Sequence, residues 1–253
     1  REYLLVAPPG TLRLAVLGSS NVMGWGVPQA QVFESLVEER LNREAPAGPG
    51  VAFQVLNFAF NGLSPLGQIA VLEKRVRRFA PDLVLFVGHS YDFEWVSRDP
   101  PRFLRQRIPI RDEYLRRVLR EAGVRPRTHP LLGSERLKAF EPDLVRWSYG
   151  RIAAECRGMG ALPLFVYLPL PYERRGGALG ADPRARLEEL AAAAGFVVLD
   201  LGHVFAGRAP ARLQTQEVHP HWSAEAHALI AEALYARLSS DPRVALAARA
   251  RAA

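Results

Sequence analysis

Leu14-Ala15-Val16-Leu17 runs directly into Gly18-Ser19-Ser20-Asn21, and a loop punctuated by Gly24 and Gly26 follows. A short unbroken apolar run bounded by turn residues reads as a strand covered on both faces, as in a parallel sheet. Parallel neighbours need long crossover connections, usually helices, so this stretch directs the chain toward an α/β layer structure. In open parallel sheets, ligands bind outside the carboxyl ends of the strands. Ser19 and Ser20 stand at that end of the first strand and are the first candidates for chemistry. Three common glycine motifs fail here. A nucleophile elbow needs glycines two before and two after the serine, and Gly18 and Val22 flank Ser20. The phosphate loop needs a terminal Gly-Lys-Ser/Thr, and the dinucleotide fingerprint needs a G-x-G-x-x-G spacing; neither fits.

The rest of the chain keeps alternating. Residues 12–19 read as the first strand and Gln29 to Arg43 as a helix, with Val32, Phe33, Leu36, Val37 and Leu41 at helical spacing. Val51 to Phe58 reads as a second strand, residues 65–79 as a helix, and Asp82 to Gly88 as a third strand. A fourth strand spans Leu162 to Leu168, a helix starts at Pro183, and a fifth strand spans Phe196 to Leu201. The last strong helix runs from Ala224 to Leu238, with Ser223 as its cap and Glu225 near its positive end. The tail after Pro242 reads as one more short helix or a frayed end. This pattern predicts a flavodoxin-like three-layer α/β/α fold with a central parallel sheet of about five strands. Residues 1–253 read as one domain, with a lead-in over 1–11 and a tail over 241–253.

Residues 93–145 break the alternation. They hold Pro100-Pro101, Pro109, Pro126, Pro130 and many arginines, with one helical pattern at Tyr114, Leu115, Val118 and Leu119. They read as an insertion between the third and fourth strands, either a cap beside the site or a solvated excursion. The net charge of +7 invites a nucleic-acid partner, but only Lys74 and Lys138 are lysines. The arginines are spread over helices and are not interleaved with exposed aromatics, which argues against nucleic acid. The single cysteine, Cys156, cannot form an internal disulfide and reads as a small buried apolar residue. No run is long enough to span a membrane. The chain reads as a soluble domain of bacterial type; cytoplasmic and extracytoplasmic placement, a signal or anchor upstream of Arg1, and the oligomeric state all stay open.

An acyl-transfer site needs a nucleophile, a base and donors for the oxyanion. Base candidates lie in Glu217-Val218-His219-Pro220-His221-Trp222-Ser223, which leads into the last helix, and His227 follows within it. His219, His221 and His227 also raise a zinc site of three ligands plus water. Trp25 and Trp222 stand close in sequence to these candidates and read as a site wall or as core.

Gly18-Ser19-Ser20 followed by Gly24-x-Gly26-Val27 resembles block I of the SGNH/GDSL hydrolases, with Ser20 on the nucleophile and Ser19 in place of the usual aspartate. The six-residue separation of His221 and His227 resembles block V, which implies His221 as the base. His219-Pro220 offers a competing register. Val218 falls on the triad acid's position, so Glu217 is the nearest acid to orient the imidazole. Gly62 resembles the block II glycine, whose backbone N–H faces the oxyanion. Gly88-His89-Ser90-Tyr91-Asp92 resembles block III, with Ser90 on the asparagine and His89 as a substitute donor. The resemblance covers residues 12–238. It implies a serine-dependent ester hydrolase or O-acyltransferase working through an acyl-enzyme on a small-molecule, lipid or carbohydrate ester. It implies no metal and no organic cofactor. The three exchanged positions, 19, 90 and 218, support the alternative of a catalytically impaired module that binds a glycan or acyl ligand.

Overall fold

All seven residues of β1 (Thr11–Leu17) are buried in the computed structural model, which describes residues 2–44, 50–170, 182–215 and 221–252. After β1 come α1 (Ser20–Met23), α2 (Phe33–Glu44), β2 (Ala52–Asn57), α3 (Pro65–Lys74) and β3 (Leu83–Gly88). The insertion holds α4 (Asp92–Arg105), α5 (Glu113–Glu121) and α6 (Pro130–Leu137), and α7 (Glu141–Gly158) leads back to β4 (Leu162–Tyr167). Then follow α8 (Pro183–Ala194), β5 (Val197–Leu199), α9 (Pro210–Leu213), α10 (Ala224–Ser240) and α11 (Pro242–Ala252).

The strands form one parallel sheet in the order β2-β1-β3-β4-β5. Alternate residues feed two cores, because successive side chains in a strand point to opposite faces. Leu12, Leu14 and Val16 of β1 pack with Phe33, Val37 and Leu41 of α2 and Ile230 and Leu234 of α10. Ala15 and Leu17 pack with the opposite layer, built from Leu72 of α3, Tyr149 and Ile152 of α7 and Leu187 of α8. The three-layer α/β/α fold is as the alternation predicts. The order reverses between β1 and β3, and a crevice at the carboxyl ends of strands forms at such a switch point. Ser20 follows β1 there, and His89 follows β3.

Charged residues are also used inside. Arg13, near the amino-terminal end of β1, is 1% exposed. Its guanidinium donates to Gln54 Oε1 and to the carbonyls of Leu4, Leu5 and Phe79, tying the lead-in to the amino-terminal end of the sheet. On the edge strand β2, the backbone of Phe53 and Val55 and the side chain of Asn57 are met by side chains of α2. Phe53 exchanges two hydrogen bonds with Asn42, the Val55 N–H donates to Glu38 Oε2, and Asn57 Nδ2 donates to Glu34 Oε1. The register works because four helical residues rise about 6 Å and two strand residues about 6.6 Å.

The insertion departs from its sequence expectation in one respect. Its only helical pattern in the sequence is at Tyr114, Leu115, Val118 and Leu119, yet α4 is also helical and runs through Pro100 and Pro101. Both prolines are buried, and Pro101 fits against Gly133 of α6, where a Cβ would come within 2.8 Å of it. Helices of the insertion deliver Val96, Val118, Leu119 and Leu137 to the α3/α7/α8 core, so tertiary packing offsets the lost backbone bonds.

Candidate active site

Ser20 opens α1, directly after its N-cap residue Ser19. The turn is held from two sides. Asn57 Nδ2 donates to the Val22 carbonyl, and Asn21 Oδ1 accepts the Trp222 backbone N–H at 3.0 Å. The second bond joins the α1 turn to the segment that carries His221. That segment forms an isolated antiparallel bridge. Gln214 bridges Trp222, Thr215 N–H donates to the His221 carbonyl, and His221 N–H donates to Thr215 Oγ1. Trp222 anchors it from below. Its ring is 1% exposed and its indole N–H donates to the Pro169 carbonyl. Ser223 caps α10 through the Ala226 N–H, as its position before the helix predicts.

The outcome is one contact: His221 Nε2 lies 2.9 Å from Ser20 Oγ. Ser20 is 8% exposed, and Trp25, 45% exposed, sets its ring 6.2 Å from the imidazole at 33°. A hydroxyl within hydrogen-bond reach of an imidazole can lose its proton to it while attacking a carbonyl carbon.

A second buried polar cluster adjoins this pair. Ser19 takes an N-cap position, but its side chain makes no cap bond. Its Oγ instead meets His89 Nε2 at 3.2 Å. His89 Nδ1 lies 3.7 Å from Asp92 Oδ1, and Asp92 Oδ2 accepts the Tyr149 hydroxyl at 2.7 Å. All four side chains are at most 2% exposed. Burial holds the His89 imidazole down at about 4 and pushes the Asp92 carboxyl up to about 7, partly offset there by the Tyr149 hydrogen bond. Gly88 precedes this cluster for a packing reason. A Cβ there would stand 2.6 Å from the Phe165 ring and 3.1 Å from the Tyr149 hydroxyl.

Of the residues singled out in the sequence, Ser20 and His221 meet, and Ser19 and His89 meet. Ser90 follows His89 on the same rim, half-buried. Gly62 lies in the turn after β2 with φ +68°, and no atom stands within 4 Å of where its Cβ would be. Its left-handed backbone, rather than crowding, calls for glycine. Glu217 and His219 lie outside the described residues. His227 faces away from Ser20's partner and into the core. Its Nδ1 accepts the Phe33 N–H, its ring stacks on Phe33 at 5.8 Å, and burial lowers its pKa to about 4. Among the described residues no group of three or more His, Cys, Asp or Glu stands together as a metal site. Asn21, Thr215, Asp92 and Tyr149 escaped the sequence reasoning. For Asn21 the only signal is its place beside Ser20.

No family model matches the chain, and no curated protein matches it. Solved structures do. The chain is similar to TesA at 16% identity, covering 90% of this chain and 98% of that one, with a TM-score of 0.56. It is similar to the psychrotrophic esterase EstA from Pseudoalteromonas sp. at 13% identity, covering 89% and 96%, with a TM-score of 0.54. It is also similar to Axe2, an acetylxylan esterase from Geobacillus stearothermophilus, at 14% identity, covering 89% and 93%, with a TM-score of 0.56. At these identities the likeness is one of fold. The chain thus shares the fold of these structures, two of which are named as esterases.

Proposed function

We propose that this protein is a serine-dependent ester hydrolase in which Ser20 is the nucleophile and His221 the general base. The observation that carries it is the 2.9 Å contact between Ser20 Oγ and His221 Nε2 across 201 residues of chain. Ser20 Oγ attacks the acyl carbonyl as its proton passes to His221 Nε2. The tetrahedral oxyanion is held by the backbone N–H groups of Ser20 and Gly62 and by the Ser90 hydroxyl. His221 then returns the proton to the departing alkoxide, leaving an acyl-Ser20 ester. Water, deprotonated by the same nitrogen, releases the acid. An alcohol in water's place would make the reaction an O-acyl transfer. Glu217 is assigned to orient the imidazole and stabilise its charged form.

The fold shared with esterases, among them one named for acetylated xylan, supports an ester of a small alcohol or sugar as substrate. Trp25, exposed beside the imidazole, offers the face on which an acyl group or sugar ring would lie.

The test is intact-mass analysis after a fluorophosphonate probe, with Ser20→Ala in parallel and p-nitrophenyl acetate turnover as the second readout. One adduct per chain, lost in Ser20→Ala together with about 10³–10⁶-fold in kcat, is the expected result. A folded wild type that takes no adduct and turns over no ester overturns the proposal in favour of the ligand-binding module.

A further inference from the structure

The Ser19–His89–Asp92–Tyr149 cluster has no part in the acyl-transfer scheme above, although it begins one residue from the nucleophile. Its links are hydroxyl to imidazole at 3.2 Å, imidazole to carboxyl at 3.7 Å, and carboxyl to phenol at 2.7 Å. The residues come from four places: the end of β1, the end of β3, the start of α4 and the middle of α7. Buried polar groups are expensive unless paired, yet His89 Nδ1 is buried with no hydrogen-bond partner among the described residues. Ser19 also gives up the cap bond that a serine at an N-cap ordinarily makes. The hydroxyl has thus been diverted from helix capping to the imidazole.

We propose that His89 is a positioning residue, which sets the direction of the Ser19 hydroxyl beside the nucleophile, while Asp92 and Tyr149 hold its ring and select its tautomer. A neutral imidazole carries one N–H, and either arrangement satisfies the Ser19 contact. With Asp92 protonated, its O–H points to Nδ1. The ring hydrogen is then on Nε2 and donates to Ser19 Oγ, and the Ser19 proton is free to turn toward the reacting centre. On ionisation the Asp92 proton passes to Nδ1, the Nε2 proton is released to solvent, and the cluster loses one proton in all, leaving Nδ1–H facing the carboxylate. Nε2 then accepts the Ser19 proton and holds it away. No proton is gained or lost by Ser19; only its hydrogen bond reverses. The Tyr149 hydroxyl, kept protonated by burial, donates to Asp92 in both states.

The surroundings leave Asp92 as the group that switches. Tyr149 faces it from α7, with Tyr167 of β4 beside Tyr149. Arg186 of α8 lies over the Phe93 ring. Farther along α4, Ser97 is bonded by Glu141 of α7, and Asp99 is bonded by Ser64 at the start of α3. Glu94 and Arg98 are the remaining charges on the first turns of α4, and Arg98 lies over the Trp95 ring.

The effect on turnover rests on Ser20 being the nucleophile; the tautomer does not. The experiment therefore reads the ring first. Nitrogen-15 shifts of histidine-labelled protein are followed from pH 5.5 to 9, with His89→Gln giving the assignment. The expected result is a change of His89 from the Nε2–H to the Nδ1–H form as pH rises, and an Nε2–H form at every pH in Asp92→Asn. One tautomer throughout in the wild type, or the same change in Asp92→Asn, overturns the proposal. In ester turnover, His89→Leu is expected to lower kcat about tenfold with KM within twofold, and His89→Gln, which keeps a donor near Nε2, to recover most of it. Equal loss in both variants, with the tautomer change present, would reduce His89 to a packing role. No turnover in the wild type, with the tautomer change intact, would defeat the hydrolase scheme and leave the hydrogen-bond switch standing.

Discussion

β1 buries polar groups at both ends, and the two ends differ in how their hydrogen bonds are used. At the amino-terminal end, the Arg13 guanidinium is met by one side-chain oxygen and three carbonyls, and its backbone N–H donates to Asp82 Oδ2. At the carboxyl end, Ser20 is held by one imidazole nitrogen, Ser19 by another, and His89 Nδ1 has no hydrogen-bond partner among the described residues. Saturated donors fix a structure, because removing any partner leaves a buried group unpaired. Spare capacity is what an incoming ligand completes. The comparison teaches that burial alone does not mark a working site. Arg13 is as buried as Ser19, and only the second has bonding left to give.

The strongest way to break this comparison is at the amino-terminal end. Arg13→Ala should cost about 3–5 kcal/mol in urea unfolding, since it strands buried carbonyls and the Gln54 amide. Ester turnover per folded molecule should be unchanged; an equal loss of both would mean that the two ends are not separate in role.

The next effect is in the pH dependence of stability. His89 is held at about 4, and Asp92 at about 7. Between pH 4 and 6.5 the unfolded chain carries a proton on His89 that the folded chain lacks, so that residue makes stability rise with pH. Between pH 4 and 7 the folded chain carries a proton on Asp92 that the unfolded chain lacks, so that residue makes stability fall. The two slopes cancel in the wild type. Relative to it, Asp92→Asn should gain stability from pH 4 to 6.5 and His89→Gln should lose it, by up to about 1.4 kcal/mol per pH unit. Parallel curves for all three proteins would show that the pair does not titrate as a unit.

The smallest effect concerns the join between the two halves of the site. Asn21→Ala removes the bond to the Trp222 N–H and should lower kcat on the order of tenfold through misplacement of His221, with little change in KM. A full rate in Asn21→Ala would mean that the bridge to Gln214 and Thr215 holds the histidine unaided.

Much of the carboxyl end was legible because its signals are local. The apolar run before Gly18, the cap at Ser223 and the six-residue spacing of His221 and His227 lie within short windows. They point to His221 ahead of His219 as the base; His221 Nε2 stands beside Ser20 Oγ, and His219 lies outside the described residues. The rest depends on partners far apart in the chain. Tyr149 and Asp92 are 57 residues apart, and nothing near either announces the other. Glu34, Glu38 and Asn42 recur every four residues, a spacing that reads equally well as a solvated helix face. Only the adjacency of α2 to β2 turns that stripe into partners for a strand. Arg13 is as little announced: it falls inside the strand read over residues 12–19, but its carbonyl partners come from residues 4, 5 and 79.

That stripe on α2 bears on how the molecule behaves in a crowded solution. A sheet edge with open amides is a template on which a second chain can lay down a strand, and such growth has no natural end. Here the outward amides of Phe53 and Val55 are already engaged by Asn42 and Glu38. At the opposite edge β5 offers only three residues. The sheet is thus guarded against fibrous growth at one rim by side chains and at the other by brevity. The cover on β2 comes from Glu38 and Asn42, with the Tyr3 hydroxyl on Glu38 and the Val55 carbonyl, residues far in sequence from the nucleophile and its base.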